Sequence, residues 1–183
     1  MSSTSTPFGL KPAWHPSGNI RPDALSIATG YTSTIYQYQP VKIVADGTIE
    51  AAAVNDRFVG SFQGVEWTDT DGKRRVSNKW TASTAGTDIV AYVTTDPQIR
   101  YQMQGDETMT AADIGEQYDF TAASGNATTG LSTQALDVSS TATNAAVQVL
   151  NVIPGPDNAW GDSYPVVEVR ISEHQFVADI AAF

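Results

Sequence analysis

The chain has 183 residues, of which 41% are hydrophobic and only 16% charged, against roughly 25% charged in an ordinary domain. Asp and Glu total 20 against 10 Lys and Arg, for a formal net charge of -10, and there is no cysteine. These figures exclude a disulfide scaffold and a thiolate metal site, argue against nonspecific nucleic-acid binding, and leave few nucleophile–base pairs for an enzyme.

Ser and Thr, about a fifth of the residues, take the place of the missing charge, and Thr favours a pleated, half-buried surface. The polar start, MSSTSTPFGLKPAW, has no apolar run of the signal-peptide kind. No stretch approaches the roughly 20 apolar residues of a membrane helix, so no membrane partner is expected.

Residues 1–35 hold Pro7, Pro12, Pro16 and Pro22 with Gly9, Gly18 and Gly30 among them. Proline fixes φ and removes a donor, which disfavours helix or central strand. Yet Phe8, Leu10, Trp14, Ile20, Leu25 and Ile27 are too apolar for a solvated linker. The segment reads as an extended N-terminal arm, lying either on another protein surface or folded back on its own domain.

Residues 36–176 read as a β-domain. Val41–Ala45 is strand-like and Asp46-Gly47 is a hairpin signal, with Thr48–Glu50 returning. Residues 57–67 form a long strand in which Gly60 and Gly64 invite a bulge. Asp69–Gly72 is a polar turn, and strand character resumes over Val76–Trp80. Asp88–Thr95, Gln98–Gln104, Val147–Ile153 and Tyr164–Ser172 complete the strands. Residues 105–145 read as a Thr/Ser/Ala-rich loop region, with one helical turn capped by Thr110 and stopped by Gly115. Residues 177–183 form a C-terminal tail. The expected fold is all-β: a compact β-barrel or β-sandwich, jelly-roll-like, with almost no helix.

No catalytic, cofactor-binding or metal-binding residues are expected. Asp69 and Asp71 lack the third carboxylate and terminal Glu of a calcium loop. Asp157 and Asp162 read as turn caps. His15 and His174 read as structural hydrogen-bonding residues. Lys73-Arg74-Arg75 reads as a solvated hairpin end or as a salt-bridging patch for an acidic partner. Trp67 and Trp80 are placed over one end of the barrel. Trp14 and Trp160 sit in Pro/Gly-rich segments, where aromatics serve as binding anchors or plug the domain's own ends.

The segments PFGLKPAWHPSG (7–18), ATGYTSTIYQYQPVKIVADGTI (28–49), VGSFQGVEWTDTDGK (59–73) and DNAWGDSYPVVEVRISEHQF (157–176) resemble capsid decoration, or cement, proteins of tailed bacteriophages. The resemblance implies a head-stabilising virion protein made in the bacterial cytoplasm and carried on the outer capsid surface. Its implied partners are the major capsid protein of an HK97-like shell and copies of itself, as a trimer or alternatively a dimer. It implies no enzymatic activity, no cofactor and no direct nucleic-acid contact. The expected partner-binding residues are Phe8, Leu10, Trp14 and His15 on the arm, with Trp160 and Tyr164 on the loop. The alternative reading is a carbohydrate-binding β-domain, such as a phage surface adhesin, in which Trp14, Trp67 or Trp160 stacks on sugar rings.

Overall fold

The structure, a computed structural model, describes residues 2–141 and 144–180. The tail expected over 177–183 therefore lies partly outside the described residues. Twelve strands form two six-stranded sheets, and every pair of named strands is antiparallel. The first sheet has the order β1 (Lys11–Trp14), β8 (Arg100–Gln104), β12 (Val166–Ile171), β11 (Val147–Val152), β9 (Gln117–Phe120), β10 (Leu136–Asp137). The second has the order β2 (Asp23–Leu25), β7 (Gly86–Thr94), β5 (Gly60–Asp69), β3 (Pro40–Ile43), β4 (Ile49–Ala51). Strand β6 (Arg74–Ser77) continues this sheet beyond β3, along the far half of β5.

The architecture is an all-β sandwich. The barrel expected as one option is not closed, because both sheets end in edge strands. Pairing of β1 with β8 in one sheet and of β2 with β7 in the other follows the outer wrapping of a jelly roll. The inner wrapping departs from it, since β3 and β5 pair with their sequence neighbours β4 and β6.

Proline content explains which strands the arm can make. Pro12 lies in β1 and Pro22 precedes β2, and both strands are sheet edges, where a missing N–H breaks no ladder. The arm is thus folded back on its own domain, supplying an edge to each sheet. Its apolar residues explain why it stays there: Leu10 and Ile27 are fully buried, one in each of two apolar clusters. The first cluster includes Phe58, Tyr101, Met103, Val149, Val167 and Val169. The second includes Ile35, Val41, Phe62, Val65, Trp80 and Val93.

Alternation sets the faces. Along β12, Val167, Val169 and Ile171 are buried while Val166, Glu168 and Arg170 are half-buried on the opposite face. On β5 the register slips between Phe62 and Gly64, which is the bulge that the glycine spacing predicts. The Asp46-Gly47 hairpin forms, with Val44 N–H donating to the Thr48 carbonyl at 2.9 Å. Thr110 caps a 3₁₀ turn over Ala111–Asp113, its Oγ1 accepting from Ala112 N–H, and Asp113 returns the contact to Thr110 N–H.

The region 105–145 is not the open loop its composition predicts. It contains β9, whose four residues Gln117, Tyr118, Asp119 and Phe120 are all buried. Their polar atoms are satisfied from a distance: Ala145 N–H donates to Gln117 Oε1 at 3.0 Å and Ala146 N–H to Asp119 Oδ1 at 3.1 Å. Such bonds make polar burial tolerable.

Glutamines do much of this work. Gln104 Nε2 donates to the carbonyls of Thr4 and Tyr164, and its Oε1 accepts from Thr6 N–H at 2.8 Å. Gln148 Nε2 donates to the Gly115 carbonyl at 2.7 Å while its Oε1 accepts from Arg170. Gln39 accepts from Tyr36 N–H, and Gln175 both accepts from and donates to the backbone of Ile43. The amides of Gln104, Gln148 and Gln175 each fix a neighbouring segment to a strand, and that of Gln39 braces the turn before β3.

Candidate interaction surface

Two crossings carry the chain between the sheets on one side. Residues 15–22 join β1 to β2, and residues 95–99 join β7 to β8. His15 lies on the first, and its Nε2 is 3.1 Å from Asp96 Oδ2 on the second, while Nδ1 is 2.7 Å from Ser17 Oγ. His174 is fully buried and its Nε2 is 3.0 Å from the Thr95 carbonyl. Both histidines thus fasten chain ends to one turn, the structural role expected from sequence.

The six expected partner-binding residues separate sharply. Leu10 is corrected: it is 0% exposed inside the chain's own core, because the first apolar cluster takes up its side chain. Phe8 is half-buried. Trp160 is half-buried and packs against the first cluster. Tyr164 is half-buried, with its N–H donating to the Ser2 carbonyl at 2.7 Å. His15 is held as described. Trp14 is different: it is 44% exposed.

Trp14 lies at the end of edge strand β1, opposite Arg100. The Arg100 guanidinium carbon sits 4.3 Å from the indole centroid, a cation–π contact. Arg100 Nη1 is also 3.3 Å from Glu168 Oε2 on the next strand. Beside the indole is a groove of about 210 Å³ lined by Gln102, Asn151, Ile153, Pro154 and Glu168. The outer face of the first sheet therefore presents a braced aromatic ring, a groove of mixed polarity and one ion pair.

Other expected contacts are used within the chain. Arg75 pairs with Asp69 at 3.2 Å and Asp71 at 3.1 Å, and Arg74 pairs with Glu66 at 2.9 Å. Arg74 and the Tyr92 hydroxyl hold the Glu66 carboxyl below the usual carboxylate range. The basic cluster is thus neutralised at its own hairpin. Asp162 Oδ2 accepts from Ala159 N–H at 2.8 Å, the turn cap expected of it. Trp67 and Trp80 do not cover a barrel end; they meet edge to face, 5.7 Å apart, with Trp80 fully buried in the second cluster and Trp67 packed against it.

No protein-family profile, no curated protein and no solved structure matches the chain. Among the described residues, no group of three or more His, Asp or Glu side chains is placed to hold a metal ion. No helix among them is long and apolar enough to cross a membrane.

Among the described residues, the two most exposed large apolar side chains are Val76 and Phe176, neither of which the sequence singles out as a contact. Val76 is 77% exposed on edge strand β6, beside a groove of about 390 Å³ that also includes Pro22, Gly64 and Tyr92. Phe176 is 60% exposed just after His174. Sequence alone makes Val76 the start of a strand over Val76–Trp80 and gives no sign that its side chain faces solvent; the strand that forms is Arg74–Ser77.

Proposed function

We propose that the chain is a structural virion protein, a decoration or cement protein of a tailed bacteriophage. It binds the outer surface of an HK97-like shell of major capsid protein and stabilises that shell by bridging neighbouring subunits. It works by surface burial without catalysis, and it associates with copies of itself, as a trimer in preference to a dimer. The resemblance of four segments to such proteins supports the reading.

The observation that carries it is Trp14. An exposed indole on a sheet edge, held by Arg100 and flanked by a groove that mixes Ile153 and Pro154 with polar side chains, has the composition of a binding hot spot. A partner that covers the ring buries a large area at little entropic cost, since the ring is already oriented. The sparse charge of the chain lowers the desolvation penalty for a broad contact. Repeated attachment on a lattice multiplies modest contacts through effective concentration.

The test is co-sedimentation with undecorated shells of the particle that carries the chain. Wild-type protein should pellet with shells, and Trp14→Ala should bind at least about tenfold more weakly while keeping its melting temperature. Undiminished binding by Trp14→Ala removes this face from the mechanism. Failure of the wild-type protein to bind shells overturns the reading.

A further inference from the structure

A cleft of about 720 Å³, sharing no lining residue with the Trp14 groove, opens between residues 31–36, the end of β4 and the loop at 123–125. The rings of Tyr31 and Tyr36 line it, together with Thr32, Ser33 and Ser124, and no Asp, Glu, Lys, Arg or His does. Its volume lies in the range of small-molecule sites.

The walls are fixed before any ligand arrives. Tyr31 N–H donates to the Ala28 carbonyl at 3.0 Å, and the Tyr31 carbonyl accepts from Ser83 N–H at 2.7 Å. Ile35 exchanges two backbone hydrogen bonds with Trp80. Tyr36 N–H donates to Gln39 Oε1 at 2.9 Å. Gly125 lies directly on the Tyr36 ring, where an added Cβ would come within 2.2 Å of it. The hydroxyls of Thr32, Ser33 and Tyr36 have no hydrogen-bond partner among the described residues.

We propose that this cleft binds an uncharged saccharide. A charged ligand would meet no countercharge there. An extended peptide would need a row of free backbone donors, but the neighbouring edge of β4 is already covered. Ile49 N–H donates to the Ser26 carbonyl at 2.8 Å and Ala51 N–H to the Tyr31 hydroxyl at 3.2 Å. A pyranose offers what the walls complement: an apolar C–H face for an aromatic ring and a rim of hydroxyls for groups that both donate and accept. The inference does not depend on shell binding. It also differs from stacking on Trp14, Trp67 or Trp160, none of which lines the cleft.

The test is titration of the ¹⁵N-labelled full chain with maltohexaose, cellohexaose and tetra-N-acetylchitotetraose, with a heparin hexasaccharide as charged comparison. At least one neutral probe should give saturable amide shifts confined to residues 31–36, 51–53 and 123–125. Ser33→Trp, which fills the cleft from an exposed position, should weaken that binding at least about tenfold with an unchanged melting temperature. Trp14→Ala should bind the probe like wild type. The proposal is overturned if all three neutral probes leave these amides unmoved, if the shifts map elsewhere, if heparin binds the cleft equally well, or if Ser33→Trp binds like wild type.

Discussion

The Leu10 carbonyl accepts a hydrogen bond of 2.6 Å from Ser61 Oγ, and both residues are fully buried. This bond fastens the arm to the start of β5, while the Leu10 side chain fills the first apolar cluster. Leu10→Ala should therefore cost about 2–5 kcal/mol of stability, read by thermal or urea denaturation. Deleting residues 1–20 should cost more, because it removes strand β1 along with Leu10. A truncation that melts like the full chain would show that the arm is dispensable to the fold.

Arg100 touches both Trp14 and Glu168, yet Trp14 and Arg100 are exposed and Glu168 is only half-buried. An exposed cation–π contact contributes about 0.5–1 kcal/mol and a surface ion pair about 0–1 kcal/mol. Arg100→Ala should therefore lower stability by less than about 2 kcal/mol, while changing the emission of the indole it covers. A much larger loss in urea denaturation would place Trp14 in the supporting core rather than on a contact surface.

His174 gives the pH dependence. Its Nδ1 accepts from Phe176 N–H at 3.1 Å, so the proton sits on Nε2, facing the Thr95 carbonyl. Burial holds its pKa below the ordinary value of 6.5, against the opposing pull of backbone hydrogen bonds to Thr95 and Val59 and of nearby Asp96. As pH falls below about 6.5, the unfolded chain takes up this proton before the folded chain does. Stability is complete above that pH and declines below it, until the folded ring protonates as well. Asp119 and Glu173 act in the opposite sense, since burial raises their carboxyl pKa values and acid relieves that cost. His174→Gln should flatten the decline that sets in below about pH 6.5 and leave the carboxylate range unchanged. Urea midpoints measured across that window decide it, and parallel curves for the two proteins would show that the ring is not the titrating group.

Gly60 begins β5 between its two neighbours in the sheet, paired with Val41 of β3 and close to Thr94 of β7. A Cβ there would lie 1.8 Å from the Thr94 carbonyl oxygen, a backbone atom that cannot step aside without breaking the β5–β7 pairing. Gly60→Ala should cost about 4 kcal/mol or more, at the upper end of single substitutions. Soluble yield and melting temperature provide the check. A variant within about 1 kcal/mol of wild type would mean that the two strands have slack at this point.

Much of the β-framework was legible because it depends on local chemistry. Val167, Val169 and Ile171 recur at every second position, Asp46-Gly47 admits a tight turn, and Thr110 caps a short helical turn; each signal is complete within a few residues. Strand β9 was not legible, because Gln117 and Asp119 look solvent-facing until Ala145 and Ala146 supply donors from nearly thirty residues away. The arm was half legible. Its apolar residues announced a surface to lie on, but only the β1–β8 and β2–β7 pairings identify that surface as its own. At the candidate surface, the sequence placed Trp14 and Leu10 in one class. Four residues separate a ring left at a sheet edge from a side chain sealed in the core. The Tyr31–Tyr36 cleft carried no signal, since two connections and a loop far apart in sequence build it.

Gln39, Gln104, Gln117, Gln148 and Gln175 tether segments of this chain through uncharged amides. The ion pairs it does contain lie at or near the surface, where each contributes little and is screened readily. Raising the ionic strength should therefore leave the folded domain almost untouched. A salt titration of any complex it forms then reads the electrostatics of the contact itself, free of a background from the scaffold.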